Sequence, residues 1–256
     1  MTGKRGLDGR IALVTGGSGG IGRAIAHELA SRGARVRVHF HSGREKADAV
    51  VAELEGDGHS AVGADLLDPA AIQGLIDGVV RTDGRLDILV NNAGIFERHP
   101  PLEVDYATWQ NHWQRTVGIN LLGPAHACHC AARHMVEQGG GKIINISSRG
   151  AFRGEPETPA YGASKAGINA LSQSLAKALG GHGVFVYAVA PGFVETAMAR
   201  DYMTGELAES VRQQSPLGRV AKPEDVAYWV GCLAEDGANF ATGAIIDVNG
   251  ASYLRT

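Results

Sequence analysis

Seven short apolar runs rich in β-branched residues recur along this chain, separated by longer stretches with helical patterning. The strand-like runs are Ile11–Thr15, Arg35–Phe40, Ala61–Asp65, Leu86–Asn91, Lys142–Ser147, Val184–Ala190 and Ala244–Val248. Helical patterns lie near Gly20–Arg32, Gly43–Glu55, Pro69–Arg81, Asp105–Gln138, Ala160–Leu179 and Pro223–Glu235. Strands so regularly separated by helices imply βαβ units and a parallel sheet. Most of the runs are apolar on both faces, as strands are when helices cover both sides of a sheet. The expected fold is therefore α/β, a doubly wound Rossmann-type parallel sheet of about seven strands, forming one domain over residues 1–256.

Composition narrows the function classes. A net charge of −3 gives no basic excess that would suggest nucleic acid or an anionic membrane as partner. The longest apolar runs, such as Val184–Pro191, fall far short of the ~20 residues of a membrane helix. Met1–Arg10 is polar and Gly-rich, without the apolar core of a secretory signal. Cys128, Cys130 and Cys232 make no disulfide framework, which suits the reducing cytoplasm. The chain carries 36 glycines, clustered around apolar runs rather than in linkers, which suggests places where backbone approaches something closely.

One such cluster follows the first strand: Thr15-Gly16-Gly17-Ser18-Gly19-Gly20-Ile21-Gly22, then a helical stretch. A tight glycine turn between strand and helix lets backbone N–H groups and the helix N-terminus face a phosphate. Five glycines in seven positions cost backbone entropy that a plain βα turn does not require. With this Gly16-x-x-x-Gly20-x-Gly22 spacing the sequence resembles the short-chain dehydrogenase/reductase family, from Gly9 to about Gly250. The other motifs of that family occur in order: Asn91-Asn92-Ala93-Gly94, Asn120, Ser148, Tyr161-Gly162-Ala163-Ser164-Lys165, and Pro191-Gly192-Phe193-Val194-Glu195-Thr196.

The resemblance implies a catalytic set of Asn120, Ser148, Tyr161 and Lys165. Tyr161 and Lys165 are four apart in a helical pattern and so share a face. A phenol titrates near ~10, and a neighbouring lysine cation is expected to lower that value. Tyr161 then exchanges a proton with a carbonyl oxygen, and Ser148, at the carboxyl end of a central strand, bonds the same oxygen. By the resemblance, Asn120 holds a water that links Lys165 to solvent, and Lys165 also bonds the nicotinamide ribose. The cofactor residues implied are Gly16, Ser18, Gly20, Ile21, Gly22, Asp65, Leu66, Asn92, Ala93, Gly94, Tyr161, Lys165, Pro191, Gly192, Val194 and Thr196. Asn91 is expected beside them, although a strand-ending turn is the alternative, and Asp65 has the alternative of capping the following turn.

The second strand ends at Phe40, without the carboxylate that reads a ribose 2′-hydroxyl. His41, Ser42 and Arg44 can donate to a 2′-phosphate of roughly −1.5 to −2 charges, so NADP(H) is expected over NAD(H). Gly19 stands where many NADP-using relatives carry a basic residue, and Ser42 has the alternative of an N-cap. The expected reaction is reduction of a carbonyl, a ketone or 3-oxoacyl type, to an alcohol. The overall pattern is most like the 3-oxoacyl-[acyl-carrier-protein] reductases, yet Gly139 and His182 fall where those enzymes commonly place arginine for docking the carrier. An alcohol, sugar or steroid dehydrogenase, or a non-catalytic nucleotide sensor, are the alternatives.

Phe96, Phe152, Phe193, Met198, Tyr202 and Met203 are expected to shape an apolar pocket, with Gly192–Arg219 as a helical lid over it. Arg149 and Arg153 either meet an anionic substrate or pair with Glu155 and Glu157. His126, His129 and Cys130 share a helix face and could hold zinc, but the family's chemistry needs no metal. A homotetramer is implied, with one interface from Asp105–Gln138 and the Tyr161 helix, and the other from Pro223–Glu235 and Ala244–Val248.

Overall fold

Alternate residues of the central strands point to two separate cores. In the computed structural model, which describes residues 6–197, 199 and 205–255, β1 (Ile11–Val14) sends Ala12 and Val14 to one face of a sheet and Ile11 and Leu13 to the other. β4 (Ile88–Asn91), β5 (Gly141–Ile146) and β6 (Val184–Pro191) divide in the same way, with Ile88, Val90, Ile144, Ile146, Tyr187 and Val189 on the first face. Leu89, Ile143, Val184 and Val186 lie on the second. Helices α1 (Gly20–Ser31), α2 (Arg44–Glu53) and α9 (Pro223–Ala234) cover the first face. Helices α3 (Pro69–Asp83), α5 (Gly123–Glu137) and α7 (Pro159–Leu179) cover the second.

The sheet is seven-stranded and wholly parallel, in the order β3-β2-β1-β4-β5-β6-β7, with β2 at Arg35–Phe40, β3 at Ser60–Gly63 and β7 at Ile245–Val248. The chain runs outward from β1 through β2 to β3, then returns to place β4 on β1's other edge, with Val14 opposite Val90. Connections after β1 and β4 therefore diverge, and the crevice between them is where ligands bind in such sheets. Two further helices, α6 (Gly150–Arg153) and α8 (Gly205–Gln213), lie on connections at the carboxyl edge. No helix among the described residues is long and apolar enough to cross a membrane.

The expected single helix over Asp105–Gln138 is corrected. Asp105 caps α4 (Tyr106–Val117) through Thr108 N–H at 2.7 Å, and α4 runs into a π-turn, Gly118–Leu122, before α5 begins. The wide turn is marked by a bond from Gly123 N–H back to the Gly118 carbonyl. Pro124 has no N–H to give the Asn120 carbonyl four residues earlier, so the regular helical ladder cannot pass this point. Gly123 is also required for contact, because a Cβ there would lie 2.8 Å from the Leu66 carbonyl oxygen. The third strand also starts and ends earlier than expected, leaving Asp65 beyond it.

Gly123→Ala is expected to lower unfolding free energy by about 1–3 kcal/mol through overpacking against backbone. Gly74→Ala, in an exposed part of α3 with open space at its Cβ, should instead add about 0.5–1 kcal/mol. Urea unfolding of the two variants beside the wild type checks both signs.

Candidate active site

The glycine loop is shaped by backbone that no side chain could share. Gly16 and Gly20 have φ of 62° and 51°, in the left-handed region. A Cβ on Gly22 would stand 2.2 Å from the Gly16 carbonyl oxygen, so the first turn of α1 sits directly on the loop. The N-cap of α1 is Gly19, with no side-chain cap, which leaves its first N–H groups for a ligand. These features fit a pyrophosphate. Ile21 and Ser18 are half-buried on the same loop.

Three side chains hold that loop in place. Thr15 Oγ1 accepts from the N–H groups of Asn92 at 2.9 Å and Ala93 at 3.1 Å. Asn92 Nδ2 donates to the carbonyls of Thr15 at 2.9 Å and Gly16 at 3.2 Å. His39, buried in β2, accepts from Gly16 N–H at Nδ1 over 3.1 Å and reaches the Ala64 carbonyl with Nε2 over 3.2 Å. Burial pushes the His39 imidazolium below its ordinary range, which keeps the neutral ring that this pair of bonds requires. Thr15 and His39 were not among the residues singled out from the sequence. A lone histidine inside Val-Arg-Val-His-Phe is the available signal, since a buried polar ring must find partners.

Asn91 does not join the cofactor crevice. Its Nδ2 donates to Asn145 Oδ1 at 2.8 Å and meets Cys128 Sγ at 3.2 Å, inside the second core. Gly94 does lie at the crevice: a Cβ there would be 3.2 Å from Asn120 Oδ1 and 3.5 Å from Lys165 Nζ. Asn120, fully buried in the π-turn, holds the next residue from both sides. Its Nδ2 donates to the Ile95 carbonyl at 2.9 Å and its Oδ1 accepts from Ile95 N–H at 2.8 Å.

Tyr161 and Lys165 lie on α7, one turn apart, with Lys165 Nζ 5.7 Å from the Tyr161 ring centre. Ser148 follows β5 and stands beside the Tyr161 phenol, while its Oγ accepts from Gly150 N–H at 3.0 Å. Lys165 Nζ is buried and donates to the Ile146 carbonyl at 2.9 Å. The expected lowering of the phenol is corrected. Burial pushes the Tyr161 phenol up, Ser148 pulls against that, and Glu155 adds a further push. The same dry surroundings draw the Lys165 ammonium down to about 8. Phe96 packs edge-on against the Tyr161 ring at 4.8 Å.

At the other end of the crevice, His41 and Arg44 are exposed beyond β2, and Arg44 pairs with Asp48 at 3.2 Å. Such an exposed pair contributes ~0–1 kcal/mol, so the guanidinium is readily redirected. The N-cap of α2 is Gly43, not Ser42. Asp65 does cap a turn, accepting from Leu67 N–H at 2.9 Å, and lies 3.9 Å from His41 Nε2. Leu66 beside it is buried.

Pro191 ends β6, and Gly192 leads into a segment where Val194 bridges to Ala221, and the Thr196 methyl comes 3.3 Å from a Cβ position on Gly20. That segment therefore lies over the glycine loop. The expected lid residues Met198, Arg200, Asp201, Tyr202 and Met203 lie outside the described residues, as do the side chains of Glu206 and Leu207. In α8, Ala208 and Val211 are buried, and Glu209 pairs with Arg212.

The remaining pocket candidates have other partners. Phe152 stacks with Tyr253 and lies under Arg255, and Phe193 lies under Arg149. Arg149 is buried and donates to Ser252 at 2.6 Å and Gln214 at 2.7 Å, which leaves Arg153 as the partner of Glu155. Among the described residues no group of three or more His, Cys, Asp or Glu is arranged to hold a metal.

A family profile described as enoyl-(acyl carrier protein) reductase matches residues 16–251. The chain belongs to the short-chain dehydrogenase/reductase family. It is 39% identical over 245 residues to 3-oxoacyl-[acyl-carrier-protein] reductase FabG of Staphylococcus aureus, covering 95% of this chain and 98% of that protein. D-threitol dehydrogenase of Mycolicibacterium smegmatis is 37% identical over 251 residues, covering 97% and 95%. A crystal structure from Beutenbergia cavernae, provisionally assigned as an NAD(P)-dependent gluconate 5-dehydrogenase with NADP at low occupancy, superposes with a TM-score of 0.87 at 36% identity, covering 98% and 99%. The protein is thus an oxidoreductase of the NAD(P)-dependent class that acts on CH–OH groups.

The lowered Lys165 ammonium makes a pH prediction. It is cationic below about 8 and neutral above, so kcat/KM for the nicotinamide cofactor, which reports the free enzyme, should decline as pH rises past about 8. A profile that stays level to pH 9.5 would show that the Lys165 charge is not needed.

Proposed function

We propose that the protein is an NADPH-dependent carbonyl reductase that converts a ketone or 3-oxoacyl-type substrate to an alcohol. The observation that carries this reading is the Ser148 hydroxyl placed beside the half-buried Tyr161 phenol, with Lys165 one turn further along the same helix. NADPH supplies the hydride. Tyr161, held protonated by its burial, donates its proton to the carbonyl oxygen as that oxygen gains charge. Ser148 donates to the same oxygen and orients it. Asn120 fixes the segment at Ile95 against Lys165, and the two lie together where a replacement proton would enter.

Gly16, Ser18, Gly20, Ile21 and Gly22 cradle the pyrophosphate, and His41, Ser42 and Arg44 bind the 2′-phosphate. Asp65 and Leu66 flank the adenine, while Asn92, Ala93 and Gly94 line the middle of the crevice. Lys165 and Tyr161 meet the nicotinamide ribose, and Pro191, Gly192, Val194 and Thr196 meet the nicotinamide. The exposure of His41 and Arg44 beyond a strand that ends without a carboxylate supports NADPH over NADH. The Thr196–Gly20 contact supports the placement of the nicotinamide end.

The test is loss of NADPH absorbance with a panel of ketones, quinones, acetoacetyl-CoA and D-erythrulose. Tyr161→Phe should lower kcat by at least ~10²–10⁴-fold and leave NADPH affinity within a few-fold. Wild type should prefer NADPH, and Phe40→Asp should reverse that preference by adding a carboxylate beside the 2′ position. Turnover by Tyr161→Phe at the wild-type rate, or an equal kcat/KM with NADH, would each sink the corresponding part of the reading.

We further propose a cytoplasmic homotetramer. Exposed Tyr106 lies on α4, one of the helices assigned to one interface. Exposed Tyr228 and Trp229 lie on α9, assigned to the other. Light scattering at micromolar concentration should give four times the chain mass, and a monomer would contradict it.

A further inference from the structure

The helix that carries Tyr161 begins without the cap its own sequence offers. Thr158 occupies the N-cap position of α7 but makes no side-chain cap bond, and its hydroxyl is buried without a hydrogen-bond partner. The first N–H of the helix, on Ala160 because Pro159 has none, is instead accepted by His99 Nε2 at 3.2 Å, from a residue 61 positions earlier in the chain. His99 is fully buried. Its other ring nitrogen, Nδ1, is 2.7 Å from the Glu97 carbonyl, and its backbone N–H donates to the Glu157 carbonyl at 2.8 Å.

The chemistry of these partners fixes the ring. A carbonyl oxygen can only accept, so Nδ1 carries the proton; an amide N–H can only donate, so Nε2 presents its lone pair. The imidazole is therefore the neutral Nδ1–H tautomer. It stacks on His112 at 5.0 Å and meets Trp109 edge-on at 5.7 Å, and His112 in turn pairs with Glu97 at 3.1 Å, as Arg115 does.

The same short segment touches Tyr161 and the residue before it. Phe96 packs on the phenol ring at 4.8 Å, and His99 grips the residue immediately before Tyr161. Its base is the Ile95 peptide clasped by Asn120. We propose that His99 is a positioning residue for the proton-transfer step: an imported N-cap that sets the first turn of α7, and with it the Tyr161 phenol, relative to Ser148. This rests on the reading of Tyr161 as the proton donor. A hydroxyl cap from Thr158 would bind the turn locally; a cap from the segment after β4 binds it to the wall of the site, so the phenol and that wall keep one geometry. Displacement of a reacting group by about 1 Å costs of the order of 10²-fold in rate.

Two variants isolate the accepted bond. His99→Gln keeps an acceptor near the Nε2 position, and His99→Met has the same reach without a comparable one; both lose the ring stacking equally. Against the best carbonyl substrate of the panel, the Met variant should show kcat at least about ten-fold below the Gln variant, with NADPH dissociation constants within two-fold. Hydrogen exchange over residues 158–165 should be faster in the Met variant by a similar factor, and this arm needs no substrate. Equal exchange in the two variants would overturn the cap. Faster exchange with equal kcat would overturn the positioning role. In the unaltered protein, histidine ¹⁵N spectra at neutral pH should show His99 protonated at Nδ1 alone, and a proton on Nε2 would also overturn the cap. Tyr161→Phe in the same assay separates the two ideas: full activity there removes the proton-donor reading, while the exchange comparison still decides the cap.

Discussion

The pairing of β1 with β4 is the constraint from which the rest of the site follows. Val14 lies opposite Val90, and one residue further along each strand the chains must part to opposite faces of the sheet. Backbone leaving a sheet at that point loses its ladder partners while still buried, and an unpaired buried amide costs about 1–3 kcal/mol. Thr15 and Asn92 meet that demand between them, with one hydroxyl taking two N–H groups and one amide serving two carbonyls. The glycine loop is thus tied to the end of β4 rather than left as a free turn. A phosphate cradle held in place before its ligand arrives does not have to be ordered by that ligand.

The glycine loop, the Ser148–Tyr161–Lys165 set and the seven strands were legible from the chain because each is a local pattern. A positive φ calls for glycine, a helix face repeats every four residues, and strands buried on both faces read as apolar runs. What escaped depends on contacts between distant segments. The helical period continues through Gly118–Leu122, so nothing in periodicity marks the π-turn that presents Asn120; Gly123-Pro124 is the only local trace. Asn91 reads like its neighbour Asn92, but the pleat turns consecutive side chains of a strand to opposite faces, one into the core and one to the crevice. His39 and His99 carry no motif at all. Each is identified by what it accepts a hydrogen bond from, and that partner lies 23 or 61 residues away.

The electrostatics show why local chemistry alone misjudged the phenol. From the sequence, a lysine one turn away should lower the titration of Tyr161. In the fold Lys165 is buried and Tyr161 half-buried, and desolvation opposes the charged form of each. The phenol rises and the ammonium falls, so burial favours the neutral form of each group. Lys165 is not spent on the phenol but on the Ile146 carbonyl, 2.9 Å away at the end of β5. Ser148 is the group that acts on the phenol directly, and it does so in the opposite sense to burial.

A phenol that stays protonated is suited to giving a proton rather than taking one, which is the direction a carbonyl reduction requires. Its usefulness depends on geometry more than on acidity, since a proton crosses only when donor and acceptor stand within about 2.6–3.2 Å. Ser148 is placed by β5 and Tyr161 by α7, two elements that could drift relative to one another by rotation of the helix's first turn. The segment from Ile95 to His99 removes that freedom, because it is anchored at one end by Asn120 and at the other holds the N–H adjoining Tyr161. The π-turn that sets Asn120 and the histidine that caps α7 therefore act on one quantity, the separation of the phenol from the oxygen it protonates in the proposed reaction.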